Sequence, residues 1–401
     1  MEFINLMNTS SSYNMALFSN FKSDEYINVI NMICNNTKII TKGPCKFNYY
    51  NDINETKLNI YDIKTNKFEE IESPEYIKFY ISPNKEKIIF ITNTFITIYR
   101  FNVDSLNINN LIGEKLLEIK LEEKLKFNDF RLVIKNDNMN IILVNYSSKL
   151  YYVFNILSGE CIISNKYNIQ TPESILLSND NNYLVISGFN DFNDENITNS
   201  FEVWNIKEEK YQYLYQITDS DIEHDVNYSF SPGCILISND NNYLIIGCDL
   251  CSINIYNIHN GELLYILNHN TPNNKQPILI NPHSYIKSLI FLQNKELIAA
   301  GTSEGNIIIW NYITKKIIGN FKIYNSWDIY QLYLDNDLLI VNYTINNYNY
   351  YNQHQNINEH NTFRMMILAT PEYMTRQLAA LNKCSKYILP DEIQDYIISL
   401  A

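Results

Sequence analysis

Short apolar or alternating runs, cut by polar turns, recur along most of the chain. ILLSNDNNYLVISG (175–188) returns almost unchanged as ILISNDNNYLIIGC (235–248). The same unit, an apolar strand, a polar turn and a second apolar strand, appears more loosely at 29–41, 79–92, 132–145, 289–301 and 332–342. A third strand follows, ending in an aromatic, a polar and an apolar residue. These endings are Tyr61-Asp62-Ile63, Tyr99-Arg100-Phe101, Phe154-Asn155-Ile156, Trp204-Asn205-Ile206, Tyr256-Asn257-Ile258 and Trp310-Asn311-Tyr312. A turn of Asn, Gly, Ser or Lys then opens a fourth apolar run, as at 259–267 and 314–321. Period-two alternation in short segments between turn residues predicts antiparallel β meanders.

Four strands in each unit of roughly 40 to 55 residues is the period of a β-propeller blade. An ordinary β-sandwich does not account for near-verbatim copies. The third strands count six blades, and 328–342 with 363–369 supplies a seventh that lacks its fourth strand. Phe3-Ile4-Asn5-Leu6 is expected to fill that place, because closing the ring with an N-terminal strand removes an exposed edge. The Asn/Tyr/Gln-rich stretch 344–362 reads as a disordered insertion. The expected fold is therefore all-β: a seven-bladed β-propeller over 1–369, closed by the N-terminal strand, followed by an α-helical tail over 370–401.

At these residues the chain resembles the WD40 repeat family. Its best copy is 282–311, where His283 stands at the Gly-His position and Trp310-Asn311 at Trp-Asp. The resemblance implies a hydrogen-bonded tetrad of His, Ser/Thr, Asp and Trp in that blade, with Glu304 where the turn Asp would be. In most other blades Tyr or Phe replaces Trp and the His is missing, so apolar packing must hold them. Kelch repeats have a similar period, but their paired glycines are absent.

After 369 a helical period appears. Thr370-Pro371-Glu372 is a helix start, and Met374, Leu378 and Leu381 follow on one face. Leu389-Pro390-Asp391-Glu392 starts a second helix, with Ile393, Ile397 and Leu400 aligned. Residues 388–401 resemble the opening of the F-box: Leu389, Pro390, Glu392, Ile393, Ile397 and Ile398 match position by position. Truncated C-terminal boxes of this kind are typical of poxvirus ankyrin proteins. The resemblance implies binding to Skp1 of a cullin ubiquitin ligase through those residues. The alternative is a structural pair of helices packed on the propeller.

Composition narrows the function classes. Of 401 residues 46% are hydrophobic, enough for a packed core. The excess of Asn, Ile, Lys, Tyr and Phe follows AT-rich codons, as in an AT-rich protist or a large DNA virus. A net charge of −13 without a basic run argues against nucleic acid and anionic membranes as partners. No run of 18 apolar residues offers a spanning helix, and the N-terminus lacks the pattern of a secretory signal. Seven scattered cysteines fit reduced intracellular thiols, so a cytoplasmic address is expected, with the nucleus open.

Chemistry is sparse. The six His have no metal-ligand spacing, and Cys248-Asp249-Leu250-Cys251 reads as two small residues in a hairpin turn. No nucleophile elbow, phosphate loop or dinucleotide fingerprint occurs. No catalytic residue, metal or cofactor is expected, and the chain reads as a non-catalytic interaction scaffold. An enzyme with scattered residues in a central channel is the rival from another class.

One surface feature stands out. In a propeller the loops joining strands two and three and those joining blades share a face. The longest here are 189–200 and 218–227, which carry Asp191, Asp194, Glu195, Asp219, Asp221, Glu223 and Asp225 and no Lys or Arg. They are a candidate rim for a basic peptide; the plainer alternative is a solvated acidic face.

Overall fold

The structure is a computed structural model that describes residues 7–8, 16–23, 26–33, 38–45, 58–62, 67–70, 78–102, 110–125, 130–192, 196–207, 212–218, 230–248, 251–268, 284–292, 296–322, 327–335, 338–345 and 362–369. These residues form strands and turns and no α-helix. The chain opens with β1 (Met7–Asn8) and β2 (Ala16–Ser23). Sheet I holds β3 (Tyr26–Ile33), β4 (Lys38–Cys45), β5 (Leu58–Asp62) and β6 (Lys67–Glu70). Sheet II holds β7 (Lys78–Ile81), β8 (Lys87–Ile91), β9 (Phe95–Phe101) and β10 (Ile112–Lys120). Sheet III holds β11 (Phe130–Ile134), β12 (Asn140–Asn145), β13 (Leu150–Asn155) and β14 (Cys161–Lys166). Sheet IV holds β15 (Thr171–Leu177), β16 (Tyr183–Phe192), β17 (Asn196–Asn205) and β18 (Gln212–Thr218). Sheet V holds β19 (Phe230–Ile237), β20 (Tyr243–Cys248), β21 (Ile253–Asn257) and β22 (Leu263–Leu267). Sheet VI holds β23 (Ile286–Phe291), β24 (Leu297–Thr302), β25 (Asn306–Asn311) and β26 (Lys316–Lys322), with β1 added outside β26. Sheet VII holds β27 (Trp327–Asp335), β28 (Leu338–Ile345) and β29 (Thr362–Ala369), with β2 as its fourth strand.

Sheets I to V are antiparallel meanders in chain order, and VI and VII are the same with an N-terminal strand added at one edge. The chain divides into two compact units, Met1–Asn28 with Leu250–Ser252 and Leu267–Ala401, and Val29–Asp249 with Ile253–Ile266. Apart from the ends of two strands, sheets VI and VII belong to the first unit and sheets I to V to the second.

The N-terminal segment that joins the last sheet differs from the one expected. β2 pairs with β29, from Ala16↔Ala369 to Ser23↔Phe363, while Met7 and Asn8 pair with Lys322 and Phe321 of β26. The strand that completes the last sheet is thus Ala16–Ser23; Phe3–Leu6 lie outside the described residues. Eight residues match the length of β29, and the short N-terminal run could not.

In sheets II, III and IV the middle strands are largely apolar because these sheets have a core on both faces. Ile141 and Leu143 of β12 enter the core between sheets II and III, while Ile142 and Val144 enter that between III and IV. β8 divides likewise: Ile88 and Phe90 face sheet I, Ile89 and Ile91 face sheet III. Period-two geometry sends alternate side chains to opposite cores, and each fully buried aliphatic stabilises by about 1.5–3 kcal/mol. Outer strands, covered on one side only, keep polar residues; β14 is largely exposed.

The repeated Ser-Asn-Asp-Asn-Asn segment has two functions. Within a turn, Ser178 Oγ donates to Asp180 Oδ1 and accepts from Tyr183 N–H, and Ser238 treats Asp240 and Tyr243 in the same way. The fourth turn residue takes a left-handed backbone, with φ of 56° at Asn138, 59° at Asn181 and 59° at Asn241. Asn tolerates that conformation better than other residues with a side chain. Between turns, the amide oxygen of this same Asn accepts from the preceding sheet. Asn84 N–H donates to Asn138 Oδ1 (3.3 Å), Asn136 N–H to Asn181 Oδ1 (2.9 Å) and Asn179 N–H to Asn241 Oδ1 (2.8 Å). Three consecutive sheet junctions are therefore clasped by one repeated side chain.

Candidate functional site

The third-strand ending has a common geometry. Asn155, Asn205, Asn257 and Asn311 each accept a backbone N–H from two or three residues on, which starts the turn into the fourth strand. The aromatic before it is buried, and the register shifts by a bulge at Phe154, Trp204 and Trp310. In the best copy of the repeat, Glu304 sits in the β24–β25 turn. Its N–H donates to Thr302 Oγ1, and its carbonyl accepts from Lys322 Nζ. Trp310 Nε1 has no partner among the described residues, and His283 lies outside them.

Sheet IV holds a different arrangement. Glu202 and Trp204 stand two apart on one face of β17. Trp204 Nε1 donates to Glu202 Oε2 (3.3 Å), and Asn168 N–H donates to Glu202 Oε1 (2.9 Å). Glu202 is fully buried, and burial holds its carboxyl above the ordinary value despite these bonds. The i, i+2 spacing of Glu and Trp was the sequence signal for this contact.

First strands of neighbouring sheets are laced side by side. Lys78 Nζ donates to Phe130 O (2.8 Å) and lies over the Phe130 ring, and Leu132 N–H donates to Tyr80 OH. Arg131 Nε donates to Glu173 O. Burial drives the Tyr80 hydroxyl up to about 12, against the pull of Arg131. In the first unit Leu332 N–H donates to Ser288 Oγ (2.8 Å). These cations serve backbone carbonyls, a tethering role.

The acidic segments need one correction. Residues 189–192 and 196–200 are strand: β16 and β17 pair as far as Phe192↔Asn196. Asp191 therefore belongs to a long hairpin, opposite Ile197. Apolar and β-branched residues among the acids, Phe189, Phe192, Ile197 and Thr198, sustain the ladder there. Gly188 at its root is needed for close approach, because a Cβ would collide with Thr171 O beside the Pro172–Ser174 bulge. The pairs Phe192↔Asn196 and Ser200↔Thr218 bring the roots of both acidic segments to one end of sheet IV. Asp194, Glu195, Asp219, Asp221, Glu223 and Asp225 lie outside the described residues, as do Leu389, Pro390, Glu392, Ile393, Ile397 and Ile398.

A pocket between sheets II and III lay outside the reach of linear motifs. It is open to the surface, with a volume of about 280 Å³. Buried Leu121, Leu125, Leu143 and Phe154 make its floor; Glu122, Glu123, Lys120 and Cys161 stand on its exposed rim. The segment carrying the two glutamates is tied to the β8–β9 turn: Leu121 N–H donates to Thr94 O and Leu125 N–H to Asn93 O, both 2.8 Å. Asn145 Nδ2 donates to Glu123 Oε2 (2.9 Å). Tyr152 and Phe154 stack with ring centroids 6.0 Å apart. Burial, with a smaller push from Glu122, raises the Cys161 thiol above its ordinary value.

Cys248 and Cys251 are buried, Cys251 with a φ of 52°. Among the described residues no three His, Cys, Asp or Glu are grouped to hold a metal, and no helix is long and apolar enough to cross a membrane. The architecture is that of repeated four-stranded antiparallel sheets, compatible with a propeller-like fold. No family model matches the chain.

Proposed function

We propose that this chain is a WD40-like, seven-bladed propeller acting as a non-catalytic interaction scaffold. It captures a protein partner on an acidic face and presents that partner to a Skp1–cullin ubiquitin ligase through its C-terminal tail. The observation that carries the scaffold reading is the repetition of four-stranded meanders whose last sheet is completed by an N-terminal strand. Supporting it, Lys78, Arg131 and Glu202 are engaged with backbone groups. In this reading catalysis belongs to the recruited ligase, and the scaffold supplies effective concentration. The acidic segments rooted at one end of sheet IV would attract a basic partner and set its orientation.

A pull-down compares the full chain with one lacking 385–401. Skp1 and cullin recovered only with the tail is the expected result. Their absence from both, with another partner retained, leaves a plain assembly scaffold whose tail packs structurally. Reversing the charges of Asp219, Asp221 and Asp225 should abolish partner capture. Capture undiminished at low salt would eliminate the acidic face as the docking surface.

A further inference from the structure

The pocket between sheets II and III combines an apolar floor with an acidic rim on a tied backbone. We propose that it receives a basic side chain, lysine or arginine, projected by a protein partner. The methylene stem lies on Phe154, Tyr152 and Leu143, and the charged head meets Glu122 and Glu123. This assignment rests on the interaction-scaffold reading and names the chemistry of one contact in it.

Size, charge and preorganisation agree on this occupant. About 280 Å³ leaves room for one long side chain. An amphipathic stem satisfies an apolar floor while its head stays at the wet rim. The stacked Tyr152–Phe154 pair adds ring faces that attract cations. Glu123 commits Oε2 to Asn145, and Glu122 has no hydrogen-bond or ion-pair partner among the described residues. Lys120 is the rim's opposing charge, one cation against two carboxylates. The carboxylates' field reaches inward, since both glutamates add to the burial that raises the Tyr152 hydroxyl. Backbone bonds from Leu121 and Leu125 fix the rim before binding, so little ordering cost remains.

Cys161 on the rim is a built-in reporter, while Cys234, Cys248 and Cys251 are buried. In the full chain, Cys161 is modified with a trimethylammonium-bearing and a sulfonate-bearing methanethiosulfonate and followed by peptide mass spectrometry. The expected result is a preference for the cationic reagent of about ten-fold over the same ratio on N-acetylcysteine amide. Glu122→Gln with Glu123→Gln should bring that ratio to one, and Glu122→Gln alone should lower it part of the way. N-acetyl-lysine methylamide should protect Cys161 from N-ethylmaleimide; its norleucine and glutamate counterparts should not. An unchanged ratio in folded variants, or equal protection by norleucine, overturns the assignment. Failure of partner capture by the full chain counts against the scaffold reading, whereas failure of Cys161 selectivity counts against the pocket alone.

Discussion

Glu202 is a fully buried carboxylate whose two oxygens serve Asn168 N–H and Trp204 Nε1–H. Its carboxyl is raised from 4.5, chiefly by burial, so the native state holds a proton that the unfolded chain releases more readily. Its contribution is therefore fully present below the ordinary carboxylate pKa and is lost as pH climbs through the raised value. Glu202→Gln removes the titration while keeping an oxygen for Asn168. The melting temperature of E202Q should gain on the wild type as pH rises from about 4 toward neutrality. Parallel melting profiles across that range would refute the argument. The spacing of Glu202 and Trp204 was visible in FEVWN, but burial of the acid was not, since that depends on what sheet III places against β17. Asp240 has the opposite sign. Burial opposes ionisation there, but hydrogen bonds from Ser238 and Asn242 hold its carboxyl below the ordinary value.

Strands were the most legible elements, because alternate positions had to be apolar on both faces. Every copy of the strand–turn–strand unit became one hairpin, and every aromatic-polar-apolar ending became the close of a third strand. Two element-level expectations moved. The acidic loop at 189–200 became a hairpin extension, since nothing in an Asp/Asn-rich segment reveals that its partner strand continues in register. The closing strand moved from Phe3–Leu6 to Ala16–Ser23, because the choice depends on which segment reaches the edge of β29 at matching length. Truncation tests this directly. Removing residues 1–6 should leave thermal unfolding nearly unchanged. Removing 1–23 exposes the β29 edge and should lower the melting temperature by several degrees and open sheet VII to proteolysis. Equal melting of the two truncations would remove β2 from this role.

Across the second unit, sheets II to V are held by apolar cores and by clasps from Asn138, Asn181 and Asn241. Each clasp is a hydrogen bond worth about 0.5–1.5 kcal/mol net. Gly at these positions keeps the left-handed backbone and deletes the clasp, together at Asn138 with the Nδ2 bond to Asn136 O, whereas Ala also adds backbone strain of about 1–2 kcal/mol. The triple Asn→Gly variant should therefore lose about 1.5–4.5 kcal/mol, and each Asn→Ala should cost more than its Asn→Gly. Chemical denaturation gives both numbers, and indistinguishable Gly and wild-type curves would deny the clasp a role in stability.

The all-β class, the repeated four-strand unit and the turn residues within it were legible in the sequence. Those properties follow from local rules: strand period, turn conformation and side-chain volume. Tertiary structure alone decided which edge the N-terminus fills, which Asn reaches which turn, that Glu202 is buried, and that Glu122 and Glu123 border a pocket with Cys161. Each depends on residues far apart in sequence but adjacent across a sheet junction, where register and packing choose the neighbours.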